Sequence, residues 1–136
     1  MGARRRPPAM IHHIELWVPD LAGAVRPWGW LLESLGWTPF QEWPAGRSWK
    51  HGGLYVVLEQ SPALTGTSHD RCAPGLNHLA FHAGPPSAVD RLAAESAAHG
   101  WSPLFADRYP HAGGPDCYAA YLTDAWGYEV ELVAET

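Results

Sequence analysis

The sequence is poor in cysteine, with only Cys72 and Cys117 in 136 residues. Their spacing matches no zinc motif, and two cysteines do not make the disulfide framework of a small secreted domain. We therefore expect a protein of a reducing compartment, the cytoplasm. No apolar run reaches the about 20 residues that a membrane helix needs. The basic start, residues 1–6, is followed by two prolines rather than by the apolar segment of a signal peptide, so we expect residues 1–9 to form a disordered tail.

Basic residues are also scarce, with nine lysines and arginines against fourteen acidic residues. Arg4, Arg5 and Arg6 account for three of the nine, so the rest of the chain is strongly acidic. An acidic body repels the phosphate backbone, and we expect no nucleic-acid partner and no membrane partner. The length fits one domain that buries enough apolar surface to fold without disulfides.

Tryptophan is the residue type in excess, with eight copies in the chain. Five of them fall between Trp28 and Trp49, both included. A tryptophan has a large apolar ring and one N–H that needs an acceptor. Such a cluster therefore indicates either a subunit interface or an aromatic cavity for a flat ligand. Filling of the core is the alternative explanation for about half of the tryptophans.

Residues 11–20, IHHIELWVPD, alternate between apolar and polar side chains, which is the pattern of a strand with one buried face. The period of two sends the apolar set into the core and the polar set into a cavity. The apolar set is Ile14, Leu16 and Val18, and the polar set is His13, Glu15 and Trp17.

The chain contains an internal repeat of this pattern. His78 lies in GLNHLAFHAG, 65 residues after His13. The phrase Gly-Trp-Ser-Pro at residue 100 repeats the phrase Gly-Trp-Thr-Pro at residue 36, and a helix-like stretch precedes each phrase. The histidines are 65 residues apart and the two phrases 64 residues apart. Such closely matching offsets indicate two copies of one supersecondary unit.

Each copy is predicted to form a strand, a helix and three further strands, which makes the fold class α+β with two βαβββ modules. Asp20 is expected to cap the first helical region, but Pro27 favours a short turn and then a main helix that opens at the proline. Ser87 and Asp90 indicate a weak capping box for the second helix. The predicted bounds are a module of residues 10–62, a linker of residues 63–74 and a module of residues 75–135, with a turn at 21–26, helices at 27–35 and 88–99, and later strands at 37–43, 47–51, 54–60, 101–108, 117–123 and 128–134.

One histidine on each first strand and one carboxylate on each fourth strand are the candidates for chemistry. Two neutral imidazoles and two carboxylates suit a borderline divalent cation (zinc, nickel, cobalt, manganese or iron), with positions left open for water or substrate. Taken singly, such a histidine is more often a core residue, and such a glutamate a solvated strand end. Both glutamates lie in apolar runs, LYVVLEQ and YEVELVA, where a buried carboxylate needs a cation or a proton. The four residues are His13 and Glu59, 46 residues apart, and His78 and Glu131, 53 residues apart.

These residues and their surroundings resemble the vicinal oxygen chelate superfamily, also called the glyoxalase/bleomycin resistance/dioxygenase family. The resemblance covers residues 10–135 and rests on HIELWVPD from His13, LNHLA around His78 and DAWGYEVEL up to Leu132. It implies that each module curls into a half-barrel and that the two pair around a cavity with the metal inside. It further implies a homodimer and the ligand set His13, Glu59, His78 and Glu131, which looks like that of glyoxalase I.

The resemblance favours a metal-dependent enzyme, a lyase or isomerase of the glyoxalase type. Such an enzyme would chelate a small substrate through vicinal oxygens and stabilise an enolate or oxyanion, with Glu131 as the candidate base and Glu15 as a second candidate. One alternative is a metal-independent, bleomycin-resistance-like protein that sequesters a planar aromatic natural product or antibiotic. Another is a dimeric scaffold with neither metal nor ligand. The candidate substrate contacts are Trp17, Trp49, Tyr55, His82, His111 and Tyr118.

The loop of residues 109–116, YPHAGGPD, has no counterpart in the first copy. Its glycines, Gly113 and Gly114, permit a swing between open and closed forms, and His111 supplies a titratable donor. We predict that this loop is a lid over the substrate, with an ordinary surface loop as the alternative.

Overall fold

The computed structural model describes residues 10–135, so the predicted basic tail lies outside the described residues. Two four-stranded sheets form the framework. Each sheet belongs to a module of one strand, one helix and three further strands. The predicted α+β fold of two βαβββ modules is therefore confirmed. Among the described residues, no helix is long and apolar enough to cross a membrane.

The bounds of the elements are as follows. The first module contains strand β1 (His13–Trp17), helix α1 (Leu21–Ser34) and strands β2 (Thr38–Trp43), β3 (Gly46–His51) and β4 (Leu54–Glu59). The second contains β5 (Leu79–His82), α2 (Pro86–Glu95), β6 (Ser102–Leu104), β7 (Ala119–Thr123) and β8 (Glu129–Val133). Short 3₁₀ helices follow α2 at Ser96–His99 and β6 at Ala106–Arg108.

The first and fourth strands of each module pair side by side and in parallel. The strand order is β1-β4-β3-β2 in the first sheet and β5-β8-β7-β6 in the second, with antiparallel pairing between the other neighbours. Strand β1 has the predicted alternation, because Leu16 is buried whereas His13, Glu15 and Trp17 are exposed. One face of the first sheet thus packs under α1. We call the other face, which carries His13, Glu15 and Trp17, the open face.

One apolar core joins the two modules under α1. Trp28 on α1 is fully buried, and its ring meets that of Trp101 edge-on with 5.1 Å between centroids. Its Nε1 donates to Asp124 in the β7–β8 turn at 3.0 Å, and the backbone N–H groups of Trp126 and Tyr128 donate to the same carboxylate. Burial raises the pKa of the Asp124 carboxyl, and these donors oppose that rise. The helix of one module is therefore bonded to a turn of the other.

Helix α1 runs unbroken through Pro27, so the predicted break at this proline is wrong. Proline removes a backbone hydrogen bond inside a helix, which normally kinks it. Here Pro27 is buried beside Gly100, and its carbonyl accepts a hydrogen bond of 3.0 Å from Trp101 Nε1. The predicted cap is present, since the Asp20 side chain accepts from the backbone N–H of Gly23 at 3.1 Å. Packing between the modules thus outweighs the local preference at the proline.

Two local predictions in the second module are wrong. Helix α2 begins after Pro85, which offers no side-chain cap, so the capping box of Ser87 and Asp90 does not form. Strand β6 ends at Leu104 rather than at residue 108. The reason is Phe105, whose positive φ of 56° turns the chain out of the ladder.

The linker is fastened to the second module at the turn between β7 and β8. The N–H of His69 donates to the Trp126 carbonyl at 2.7 Å, and the His69 ring stacks on Tyr128 with 4.5 Å between centroids. Gly127 lies against the His69 carbonyl, where a Cβ on Gly127 would stand 2.2 Å from the oxygen. A side chain at this position therefore does not fit while the linker stays in place.

We expect Gly127→Ala to destabilise the protein more than Gly52→Ala does. Both glycines have a positive φ, 95° and 58°, so both substitutions carry a backbone cost of about 1–2 kcal/mol. Only Gly127 adds a clash, since nothing lies within 4 Å of a Cβ at Gly52, and overpacking adds about 1–3 kcal/mol. Urea unfolding of both variants measures the difference. Equal free energies of unfolding would show that the linker is not held at this point.

Candidate active site

The second sheet brings His78 and Glu131 together. His78 directly precedes β5, and Glu131 lies in β8 beside Ala80. His78 Nε2 lies 3.0 Å from Glu131 Oε1. Glu131 is 9% exposed, whereas the side chain of His78 is 31% exposed. The pair therefore lies at the edge of the interior, where a small molecule has access to the imidazole.

The second imidazole nitrogen of His78 also faces an oxygen. Nδ1 lies 2.7 Å from Oδ1 of Asn77, and the Asn77 amide nitrogen donates to the Arg71 carbonyl at 3.0 Å. Asn77 thus presents its oxygen to the ring, so Nδ1 carries the proton in neutral His78. Nε2 is then a bare lone pair that faces the Glu131 carboxylate. Two acceptors 3.0 Å apart require a proton or a cation between them.

The donor spacing suits a divalent cation. Adjacent ligands of an octahedral ion with bonds of about 2.1 Å stand about 3 Å apart. Nε2 and Oε1 are separated by 3.0 Å, and the contact between Nδ1 and Asn77 is the kind that orients metal-bound histidines. Within residues 10–135, no group of three or more His, Cys, Asp and Glu side chains is arranged to hold a metal ion. The pair therefore fits as two ligands of a coordination shell, not as a complete one.

A further carboxylate, Glu129, lies on the other side of the imidazole. Its Oε2 is 3.8 Å from His78 Nδ1, and its Oε1 is 3.1 Å from Arg71 Nη1, although outside hydrogen-bond geometry. Glu129 is 3% exposed, so Arg71 compensates a buried charge. Glu129 was not among the residues predicted from the sequence. The alternation in YEVELVA was the available signal, because it places Glu129 on the same face as Glu131.

Cys117 and Tyr121 lie next to the Glu131 carboxylate. Cys117 Sγ is 3.8 Å from Glu131 Oε2, and Tyr121 pairs directly with Glu131 in the β7–β8 ladder. Burial raises the pKa of Tyr121 to about 12, with a smaller contribution from the Glu131 charge. Burial and the same carboxylate raise the pKa of the Cys117 thiol. Near neutral pH both groups therefore keep their protons and remain donors. A cross-strand neighbour leaves no mark in a linear pattern, so neither was predicted to act on Glu131.

The first module does not repeat this arrangement. His13 pairs with Tyr55 at the start of the β1–β4 ladder, whereas Glu59 pairs with Trp17 at its end. Four residues of strand, about 13 Å at 3.3 Å each, separate the two positions. The structure therefore does not bring the predicted ligands His13 and Glu59 together.

The predicted equivalence of Glu59 and Glu131 is wrong in register. Glu131 pairs with the residue two positions after His78. In the first ladder, the residue two positions after His13 is Glu15, and it pairs with Val57. Val57 is 4% exposed. A shift of two residues keeps a side chain on the same face but moves it about 7 Å along the strand. An alkyl side chain thus occupies the place where the second module has its carboxylate.

The open face of the first sheet is aromatic and exposed. The rings of His13 and Tyr55 stack with 4.8 Å between centroids, and Phe40 meets Tyr55 edge-on at 5.3 Å. Trp17 is 38% exposed, and its Nε1 donates to Glu15 at 2.7 Å. Such a face suits a flat ligand or the surface of another protein.

Two of the predicted substrate contacts lie away from the His78–Glu131 pair. Trp49 is 3% exposed on the helix side of the first sheet, and its Nε1 lies 3.4 Å from Glu33 of α1. His82 is exposed, and its Nδ1 lies 3.7 Å from the carboxylate of Glu135. The structure therefore does not bring Trp49 to the open face.

The loop predicted as a lid, residues 109–116, lies against the start of β7. His111 Nδ1 is 3.0 Å from the Cys117 carbonyl, so this nitrogen donates to it. The Tyr118 hydroxyl donates to Asp90 of α2 at 2.6 Å. Hydrogen bonds from tyrosine hydroxyls hold the pKa of Asp90 below its usual value. The loop is thus placed beside Cys117 and Glu131, and its movement stays a prediction.

Known proteins share this architecture. The profile of the Glyoxalase/Bleomycin resistance protein/Dioxygenase superfamily matches residues 12–121. The uncharacterized protein YqjT of Bacillus subtilis (strain 168) is 45% identical over 126 residues, which are 91% of this chain and 98% of that protein. A solved structure from Bacillus halodurans, provisionally described as a glyoxalase, is 40% identical with a TM-score of 0.89, and the match covers 94% of this chain and 97% of that chain.

A more distant structure shows the fold alone. It is a glyoxalase/bleomycin resistance protein from Albidiferax ferrireducens T118, which is 21% identical with a TM-score of 0.75 over 94% of this chain and 100% of that chain. The superfamily profile and the two nearer relatives each span most of this chain. The chain therefore belongs to the glyoxalase/bleomycin resistance protein/dioxygenase superfamily.

Proposed function

We propose that the protein is an enzyme of the lyase or isomerase type that moves a proton at a carbon next to an oxygen of a small substrate. The observation that carries the proposal is the 3.0 Å separation between Nε2 of His78 and the Glu131 carboxylate. Strand pairing places Glu131 beside the start of β5, and the contact with Asn77 orients the imidazole of His78. Enzymes keep proton-transfer groups in such pairs. A cytoplasmic location is part of the proposal, supported by two free cysteines.

The proposed roles follow from the contacts of each residue. Glu131 takes the proton from the substrate carbon, because its carboxylate is almost buried and borders the accessible ring of His78. Glu131 then returns the proton to the neighbouring carbon. A divalent cation held by His78 and Glu131 would polarise two adjacent substrate oxygens as a Lewis acid. Nitrogen and oxygen donors suit zinc, nickel, cobalt, manganese or iron.

The metal site gives a discriminating prediction. We expect His78→Ala and Glu131→Gln each to abolish stoichiometric zinc binding, because each removes one of two adjacent ligands. Glu59→Gln is the matched control, since Glu59 ends the equivalent strand but lies four residues along the ladder from His13. Calorimetric titration of chelator-treated protein measures zinc binding, and thermal unfolding verifies that each variant folds.

Two results would change this account. Loss of zinc in Glu59→Gln would restore the four-ligand assignment made from the sequence. Retained stoichiometric zinc in His78→Ala would remove the cation from the proposed site. In that case the proton between His78 and Glu131 alone would explain their contact.

We further propose a homodimer in which the open face of one first sheet covers the His78–Glu131 pair of the other copy. That face carries Trp17 and Phe40, which are 38% and 46% exposed, beside the exposed imidazole of His13. Exposed large apolar side chains in one patch are typical of interfaces. Such a partner would also bring a third imidazole to the two ligands already present.

The dimer is tested by its mass in solution. We expect light scattering to give twice the chain mass at micromolar concentration. Phe40→Glu should shift the protein to the monomer, because it buries a charge in the proposed interface. Ala94→Glu adds the same charge to an exposed position of α2 and should leave the dimer intact. A monomeric wild-type protein would contradict the proposal.

Sequestration of a planar aromatic ligand without a metal is the second candidate function. The stacked rings of His13 and Tyr55, with Phe40 beside them, favour it. If the protein is the proposed enzyme, we expect no saturable binding of the planar cation ethidium to metal-free protein. Tryptophan fluorescence measures this binding. Saturable binding that Tyr55→Ala abolishes and added zinc does not alter would favour sequestration instead.

A further inference from the structure

The hydroxyl of Tyr121 is placed to act on Glu131, whereas its ring lies against His78. The two residues are directly opposite in the antiparallel β7–β8 ladder, where side chains on one face touch. The Tyr121 ring meets His78 edge-on at 6.0 Å and Phe105 edge-on at 5.5 Å between centroids. These contacts fix the direction of the ring. The hydroxyl lies on the side of the Glu131 carboxylate, because it shares the neighbourhood of Gly113 with Cys117 Sγ, which is 3.8 Å from Glu131 Oε2.

The loop of residues 109–116 closes over the Tyr121 hydroxyl at Gly113. A Cβ on Gly113 would stand 2.6 Å from that hydroxyl and 3.3 Å from Cys117 Sγ. Gly113 has no positive φ, so contact alone, not backbone strain, disfavours a side chain. The loop is anchored on both sides of this point, since the Pro110 carbonyl accepts from Ala119 N–H at 2.9 Å and the Gly114 carbonyl from Cys117 N–H at 3.1 Å.

The first module has no equivalent of this contact. Ser48 takes the place of Tyr121 in its sheet, opposite Val57. The Ser48 hydroxyl donates to the side chain of Gln41 at 3.1 Å, and its oxygen accepts from the Gln41 N–H at 3.0 Å. The tyrosine and the loop above it therefore belong only to the module that has the histidine–carboxylate pair.

We propose that Tyr121 is a positioning residue that holds the Glu131 carboxylate toward His78, and that the 109–116 loop keeps Tyr121 in place through Gly113. This inference rests on the proposed function, since it concerns the same pair. The hydroxyl occupies one side of the carboxylate, which leaves Oε1 directed at Nε2 of His78. Displacement of the loop would push or release the hydroxyl and so change the separation between the two acceptors.

Two variants and two controls test the proposal. Tyr121→Phe removes the hydroxyl, and Gly113→Ala displaces it. Tyr128→Phe removes a hydroxyl that donates to the Trp17 carbonyl instead, and Gly53→Ala adds a methyl whose nearest neighbour, at 3.6 Å, is the flexible end of Met10. Thermal unfolding verifies folding, and Tyr121→Phe alone decides the first claim if Gly113→Ala does not fold.

The first readout is the ¹⁵N resonance of His78 Nε2 in metal-free protein, and the second is zinc affinity by competition with a chelator. We expect both site variants to shift the resonance and to weaken zinc binding by roughly 10- to 100-fold, the usual effect of losing a contact to a metal ligand. The controls should match the wild type. The double variant should be no weaker than Tyr121→Phe, because both changes act through one hydroxyl.

The outcomes separate this inference from the function on which it rests. If wild-type protein binds no zinc but both variants shift the His78 resonance, the cation is wrong and the positioning role stands. If wild-type protein binds zinc and Tyr121→Phe equals it in both readouts, the positioning role is wrong. If the fold-losses in zinc affinity from Gly113→Ala and Tyr121→Phe multiply in the double variant, the proposal that the loop acts through Tyr121 is wrong.

Discussion

Parallel pairing between the first and fourth strands of each module is the constraint on which the site depends. Side chains alternate between the faces of a strand, and the pairing decides which residues of the neighbouring strand lie beside them. In the second module this register sets Glu131 beside the position two after His78. Nε2 of the imidazole and Oε1 of the carboxylate then lie 3.0 Å apart. The proposed chemistry follows from the proton or cation that this contact requires.

The two modules share a fold but not a chemistry. Val57 stands in the first module where Glu131 stands in the second, so the first module has an aromatic, exposed face instead of a charged pair. Nevertheless the second module depends on the first. The buried hydrogen bond between Trp28 and Asp124 ties helix α1 to the turn that leads into β8. Strand β8, which carries Glu131, is therefore stabilised by contacts from both modules.

Most of the fold could be predicted, because strand alternation and the cap at Asp20 are local signals, and the internal repeat can be read from the sequence. The break at Pro27 was predicted wrongly, since the contacts that stabilise the proline come from the other module. The position of Glu59 along its strand relative to His13 was also predicted wrongly. A shift of two residues leaves a side chain on the same face, and the alternation in LYVVLEQ fits either register. The sequence did predict that His78 and Glu131 belong together. It did not point to Tyr121, whose role arises only from cross-strand pairing and a loop contact.

A crystal structure of the zinc-loaded protein, with anomalous scattering recorded at the zinc absorption edge, tests the central claim most directly. We expect a zinc ion bonded to both His78 Nε2 and Glu131 Oε1, at about 2.0–2.2 Å from each. A zinc ion bonded to Glu59 while His78 and Glu131 remain in contact without it would contradict the account.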